Sequence, residues 1–300
     1  MQQVKPFEAF ACVMAAMVII GLIDNFVVVI AAEAGLWQFH AFRGLMSLPI
    51  LIGAAVLAGA RLWPLKPRAV FARSALITSA MLIYFAALAL VSVPIAVAGL
   101  FTAPFFVLLF SALFRREAVG PIRWIAAGIG FLGILLVIQP DLDSLSLATF
   151  LPICAGAFYG IGNLATRSWC EGEDTLTLTL YSFAGLFLSG CVGLAVVVMT
   201  GGGEGFVAQG YATPTLTFLF WTGVQAIGSI IGVSLIIRGY QLGEASYVAI
   251  YEYVLMLTAS FWAWSIFGQG VDGLAAIGMA LIVLAGAVVV LRSDGAGATS

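Results

Sequence analysis

The sequence predicts an all-α integral membrane protein: ten transmembrane helices forming two inverted five-helix repeats around a central cavity. Composition is the first observation behind this. Hydrophobic residues make up 63% of the chain, charged residues 9%, and mean hydropathy is +1.14. A soluble domain carries about 25% charged and about 45–50% apolar residues, so lipid must cover much of this surface. The second is an internal repeat. Two apolar runs joined by a short connection, Val93 to Val137, recur in Ala245 to Leu291, and one shift lays Phe114 on Phe267 and Gly133 on Gly286. The third is charge parity. The first connection carries Arg115, Arg116 and Arg123, and the second only Asp272. One unit in two opposite orientations is the mark of inverted-repeat transporters.

A bilayer-crossing helix needs about 20 mostly apolar residues. Ten segments qualify in order: Phe7–Ala32, Trp37–Gly59, Val70–Val91, Val93–Phe114, Pro121–Ile138, Leu147–Arg167, Thr175–Thr200, Pro214–Ile237, Glu244–Phe267 and Val271–Leu291. The first has the outline of a signal peptide, with Lys5 before it and Ala32-Glu33-Ala34 after it. Its run exceeds the usual ~7–15 residues of such a segment, so it reads as a retained helix. The longest connection, Gly201 to Thr213, is glycine-rich, and the tail after Arg292 reads as disordered.

Lys/Arg bias in short loops sets orientation. Lys5, Arg61, Lys66, Arg68, Arg73, Arg115, Arg116, Arg123, Arg167, Arg238 and Arg292 all fall on one side of the ten-span arrangement, and the exception, Arg43, lies inside the second span. The opposite loops hold Glu33, Asp141, Asp143, Glu204 and Asp272. Both termini are therefore expected in the cytoplasm. The repeats are residues 1–138 and 147–292, divided by the acidic loop Gln139 to Ser146, with a cytoplasmic tail over 293–300.

Gly128-Ile-Gly130-Phe-Leu-Gly133 matches a dinucleotide fingerprint by letter, but that motif needs a preceding strand. Inside an apolar helix these glycines read as close-packing positions, as do Gly156/Gly160, Gly228/Gly232 and Gly185, Ser189 and Gly193. Packing within one subunit is the favoured reading, giving a monomer, with a dimer interface second. Cys12, Cys154, Cys170 and Cys191 are scattered packing residues. Trp37, Trp63, Trp124 and Trp169 lie near span ends as interfacial anchors.

Ionisable groups inside a bilayer are the strongest functional signals, because each costs a few kcal/mol to place there. Asp24 and Arg43 fall at similar depth on antiparallel helices and are expected to form a structural ion pair, with direct substrate or proton contact the alternative, and His40 and Ser47 lie on the face of Arg43. Glu252 lies on a face of small residues (Ala245, Ala249, Met256, Ala259, Ala263) and points into protein, as a hydrogen-bonded group or as a substrate or proton site. Polar stripes at helical spacing add Tyr159 and Asn163, then Trp221 and Gln225, then Ser246, Tyr251 and Tyr253, with Tyr84 and Thr102 on spans 3 and 4. These stripes are expected to converge on one cavity lined by aromatic rings.

With a single histidine, no nucleophile at motif spacing and no Walker A sequence, the chain reads as neither a metal-dependent enzyme nor an ATPase. No cofactor is expected, and no basic stripe points to nucleic acid.

The ten helices in two inverted halves, with Pro104 followed by Arg116-Glu117, resemble the drug/metabolite transporter superfamily, EamA-type. The second copy departs from that proline/glutamate pattern at Leu257 and Gly270. Within the superfamily the chain is similar to YddG-type exporters over Phe7 to Leu291. That resemblance implies export of aromatic or hydrophobic amino acids by alternating access across a bacterial inner membrane. The alternative is another small metabolite or drug, such as a nucleoside, sugar or cationic compound.

Overall fold

The computed structural model describes residues 5–88, 90–115 and 119–296. Ten helical spans long and apolar enough to cross a bilayer occupy it, and no strand interrupts them among the described residues. Their outer surface is hydrocarbon. Leu216 and Met199 are 87% and 85% exposed, and Leu188, Val192 and Phe220 also stand open, as a lipid-facing surface requires.

The packing order reveals the repeat. Span 1 lies against span 8 and span 3 against span 6, while span 2 pairs with span 7 and span 5 with span 10. Exchanging each helix with the one five places along the chain maps this set of pairs onto itself. A shift of five spans also reverses direction through the membrane, so the halves are related by inversion.

Among the described residues, three spans are broken. Span 1 is Pro6–Asp24 and Val27–Glu33, span 4 is Val93–Leu100 and Ala103–Arg115, and span 9 is Ala245–Tyr251 and Val254–Phe267. In span 1 the Asn25 side chain donates to the Gly21 carbonyl at 2.7 Å and the Ala259 carbonyl at 3.1 Å, replacing helical bonding with a contact to span 9. In span 4, Pro104 has no N–H to give, and Thr102 Oγ1 donates to the Gly99 carbonyl at 2.6 Å. The shift that lays Phe114 on Phe267 brings the span 4 break to within two residues of the span 9 break. Both halves are interrupted at the same place.

Several expectations change. Span 8 runs Leu216–Leu242, past Ile237, to the extended Gly243, and span 3 is Pro67–Ala87, its first turn opened by proline. The last helix, Gly273–Ala296, continues past Arg292, where a disordered tail was expected. The rest of that tail and the Arg116-Glu117 motif lie outside the described residues. The face expected to run through Glu252 to Met256 is interrupted by the span 9 break.

The glycines expected at close contacts pack there, except Gly128, where a Cβ would have nothing within 4 Å. A Cβ on Gly133 would meet the Gly278 carbonyl at 2.6 Å, one on Gly156 the Thr102 hydroxyl at 2.7 Å, and one on Gly228 the Ile23 side chain at 2.7 Å. Each of these contacts joins one half to the other.

Candidate functional site

Two polar clusters occupy the interior where a single convergence was expected. The first surrounds the break in span 1. Asp24 ends the helix that starts at Pro6, about 27 Å from the basic face at 1.5 Å per residue. Arg43 of span 2 stands near enough for the two charges to act on each other, yet no salt bridge joins them. The expected ion pair is therefore an open one. Arg43 rests instead on His40, Nη2 to Nδ1 at 3.3 Å, and over the rings of Phe39 and Phe183 at 5.0 Å and 5.7 Å. Tyr84 also lies within reach of the Asp24 charge.

Span 8 completes this cluster. Gln225 Nε2 donates at 2.7 Å to the Ile23 carbonyl, which also accepts the Phe26 N–H at 3.1 Å where the helix breaks. One turn earlier Trp221 stacks on Phe26, centroids 3.9 Å apart and planes 13° from parallel. Phe26 sits in the break itself, so the interruption turns a ring onto span 8. Buried and without partners here are His40 Nε2, Ser47 Oγ and Thr222 Oγ1.

The second cluster surrounds the break in span 9, about 12 Å along the helix from Glu244. Glu252 Oε2 accepts from Tyr159 Oη at 2.9 Å, and Oε1 from Tyr240 Oη at 2.5 Å. Asn163, one turn beyond Tyr159 on span 6, lies beside both hydroxyls, its Nδ2 buried and unpartnered. The buried Tyr253 ring crosses Gly130, and its hydroxyl has no partner. A turn further along span 6, Thr166 Oγ1 accepts from Arg73 Nε at 3.0 Å. Arg73 is 2% exposed and also donates to Ser182 Oγ and the Leu178 carbonyl. Its partners are all neutral.

Arg73 and Tyr240 are absent from the sequence-based set. Tyr240 follows from a helix end set too early, since span 8 runs on to the terminal Gly243. Arg73 lay inside the expected third span but was grouped with the basic loop residues, and its partners come from spans 6 and 7. Three expected lining residues lie elsewhere. Thr102 is tied to its own turn and faces Gly156, and Tyr251 packs edge-on against Phe10 at 5.2 Å. Ser246 lies at the basic face, where it accepts from Arg123 Nη1 at 2.7 Å. Helical spacing assigns a face, but depth and neighbours decide what that face meets.

Ser246 belongs to a clamp between the halves. Arg123, at the start of span 5, pairs with Glu244 at 2.7 Å and lies over the Tyr247 ring at 4.0 Å. At the other end of span 5, Gln139 Nε2 donates to Asp272 Oδ2 at 2.8 Å. Asp272 also caps span 10 by accepting from the Ala275 N–H, and this bond with that of Gln139 holds its carboxyl below the usual carboxylate range. Span 5 is thus tied to the second half at both faces. In the connection after span 6, burial pushes the Cys170 thiol up to about 11. No group of His, Cys, Asp and Glu among the described residues has the makings of a metal site.

Residues 8–139 match the EamA-like transporter family. The riboflavin transporter of Rhizobium johnstonii is 29% identical over 266 residues, covering 88% of this chain and 82% of the relative. The pseudopaline exporter of Pseudomonas aeruginosa is 27% identical over 208 residues, 67% of each. A protein of known crystal structure superposes with a TM-score of 0.81 at 15% identity, covering 97% of this chain and 99% of that one, and so has the same fold.

Proposed function

We propose that this chain, a membrane transporter of the drug/metabolite transporter superfamily, carries a planar aromatic metabolite by alternating access, with the flavin ring of riboflavin its first candidate. The observation that carries this reading is the Phe26–Trp221 stack at the break of span 1. Two parallel rings beside Gln225, Asn25 and Thr222 offer an aromatic solute both a face to stack on and polar atoms for its edge. The riboflavin transporter relative, matched over most of its length, supports the same class of solute. The basic face is taken as cytoplasmic and the route as export, with residues 1–138 and 147–292 rocking about the breaks.

A second reading keeps the aromatic ring and adds charge. Asp24 and Arg43 lie close without an ion pair, leaving one charge for the ammonium and one for the carboxylate of phenylalanine or tryptophan. The test is uptake of labelled riboflavin into proteoliposomes, competed with either amino acid. Saturable uptake lost in Trp221→Ala and retained in Trp221→Phe is expected. Uptake insensitive to Trp221→Ala refutes the stack as the site, and uptake of amino acids without riboflavin selects the second reading.

A further inference from the structure

We propose that Glu252 is a proton-binding site whose titration is coupled to the transport cycle, with Tyr159, Tyr240 and Asn163 as its switchable hydrogen-bond shell. Each carboxylate oxygen accepts one tyrosine hydroxyl, at 2.9 Å and 2.5 Å. Among the described residues no cation is in salt-bridge contact with it. A bare carboxylate inside a membrane protein is costly, and hydroxyl donors offset only part of that cost. Gaining a proton removes the charge.

The shell is built to survive that change. A protonated carboxyl has a donor where it had an acceptor, so one tyrosine must turn its own O–H elsewhere. Asn163 lies beside both hydroxyls and has an amide to receive it. Its unpartnered Nδ2 marks a side chain whose hydrogen bonding is incomplete in the present arrangement. Hydronium on one face gives its proton to the carboxylate and becomes water. Release to water on the other face restores the carboxylate and hydronium, so each cycle moves one proton and changes no other bond.

The link to transport is the short helix Ala245–Tyr251. Glu252 stands at one end, holding spans 6 and 8 through the two tyrosines. At the other end are Glu244, Ser246 and Tyr247, which hold Arg123 of the opposite half. Charge-assisted hydrogen bonds are roughly twice as strong as neutral ones, so protonation loosens the grip on spans 6 and 8 and frees the helix that forms the clamp.

The titratable groups facing Glu252 are Tyr159 of span 6, Tyr240 of span 8 and Tyr253 beside it. Arg73 of span 3 lies beyond Tyr159, held by neutral oxygens, and Arg123 of span 5 is matched by Glu244. The described parts of spans 4 and 10 bring no titratable side chain into the bilayer beside it. On span 1, Cys12 interacts with Arg238 and Glu8.

Infrared difference spectra of the purified protein in lipid nanodiscs, between about pH 5 and about pH 8, test the proton site without any substrate. A carboxylic-acid C=O band is expected in the wild type and in Asp24→Asn, shifted in Glu252→Asp, and missing in Glu252→Gln. A band that persists unchanged in Glu252→Gln overturns the proposal, as does its absence from the wild type. The coupling half rests on the transport reading above. For it, riboflavin uptake into proteoliposomes is expected to respond to a pH gradient in the wild type and to lose that response in Glu252→Gln. A response that follows a sodium gradient instead, or one retained in Glu252→Gln, refutes coupling at this site. If no riboflavin moves at all, the flavin reading falls while the infrared result still decides the proton site.

Discussion

Arg123→Ala removes three contacts between the halves at once. The ion pair to Glu244 at 2.7 Å has side chains 16% and 34% exposed, so solvent screening leaves it about 0.5–1 kcal/mol. The cation over the Tyr247 ring at 4.0 Å adds about 0.5–1 kcal/mol, and the bond to Ser246 about 1 kcal/mol. Neighbouring contacts do not add fully, which leaves roughly 2 kcal/mol, or about 30-fold in the ratio of clamped to open forms. The readout is hydrogen exchange at the Tyr247 and Val248 amides, which bond to the Glu244 carbonyl at 3.0 Å and 3.1 Å. Exchange there reports opening of the short helix and is expected to rise about 30-fold in Arg123→Ala, and less in Glu244→Gln, where Ser246 and the Tyr247 ring remain. Exchange within about threefold of the wild type, or ~0.6 kcal/mol, sinks the argument, since the helix would then be held by something other than Arg123.

Gly133→Ala drives a Cβ onto the Gly278 carbonyl at 2.6 Å and the Ile282 side chain at 2.9 Å, and is expected to lower stability by about 1–3 kcal/mol. Gly286→Ala, the repeat-related position, has nothing within 4 Å and is expected to leave thermal unfolding in detergent unchanged. Asp272 titrates below the usual carboxylate range. Its bond to Gln139 is therefore present above that range and lost only as pH falls through the lowered value, so Asp272→Asn should leave any pH dependence of uptake between about 5 and 8 unaltered. Cys170, pushed up to about 11 by burial, stays a thiol at neutral pH. Its alkylation, followed by mass spectrometry, is expected to rise tenfold per pH unit until about 11; a plateau near the ordinary thiol value refutes the buried setting.

What the sequence made legible follows from how the bilayer acts on a chain. Long apolar runs had to be helices, because lipid satisfies no backbone group, and the repeat was visible in the letters around Phe114 and Phe267. Glu252 stood out because its cost demands a reason. The break in span 1 was hidden. It carries neither glycine nor proline, and it depends on Asn25 reaching Ala259, more than two hundred residues away. Arg73 fell inside the expected third span, one turn from its start, but its burial was hidden because it depends on Thr166, Leu178 and Ser182, about a hundred residues away. Ser246 and Tyr251 share a helix with Glu252, but whether they meet Arg123, Phe10 or a solute depends on partners that no local spacing records.

The scaffold is symmetric and the chemistry is not, and the glycines explain how both hold. Spans 4 and 9 break at matching positions, so each half can bend in the same way. The shift that relates them lays Glu252 on Gly99, where a Cβ would already lie 2.6 Å from the Pro152 ring. No side chain fits there, least of all a carboxylate with two donors around it. Span 6 packs against span 4 through this contact and through Gly156, on the carbonyls of Gly99 and Leu100. That same close approach brings Tyr159 and Asn163, on span 6, to Glu252. The first half gives up its own acid so that span 6 can come near enough to serve the acid of the second. One protonatable site then serves two mechanically equivalent hinges, which is the arrangement a cycle moving one proton per turn requires.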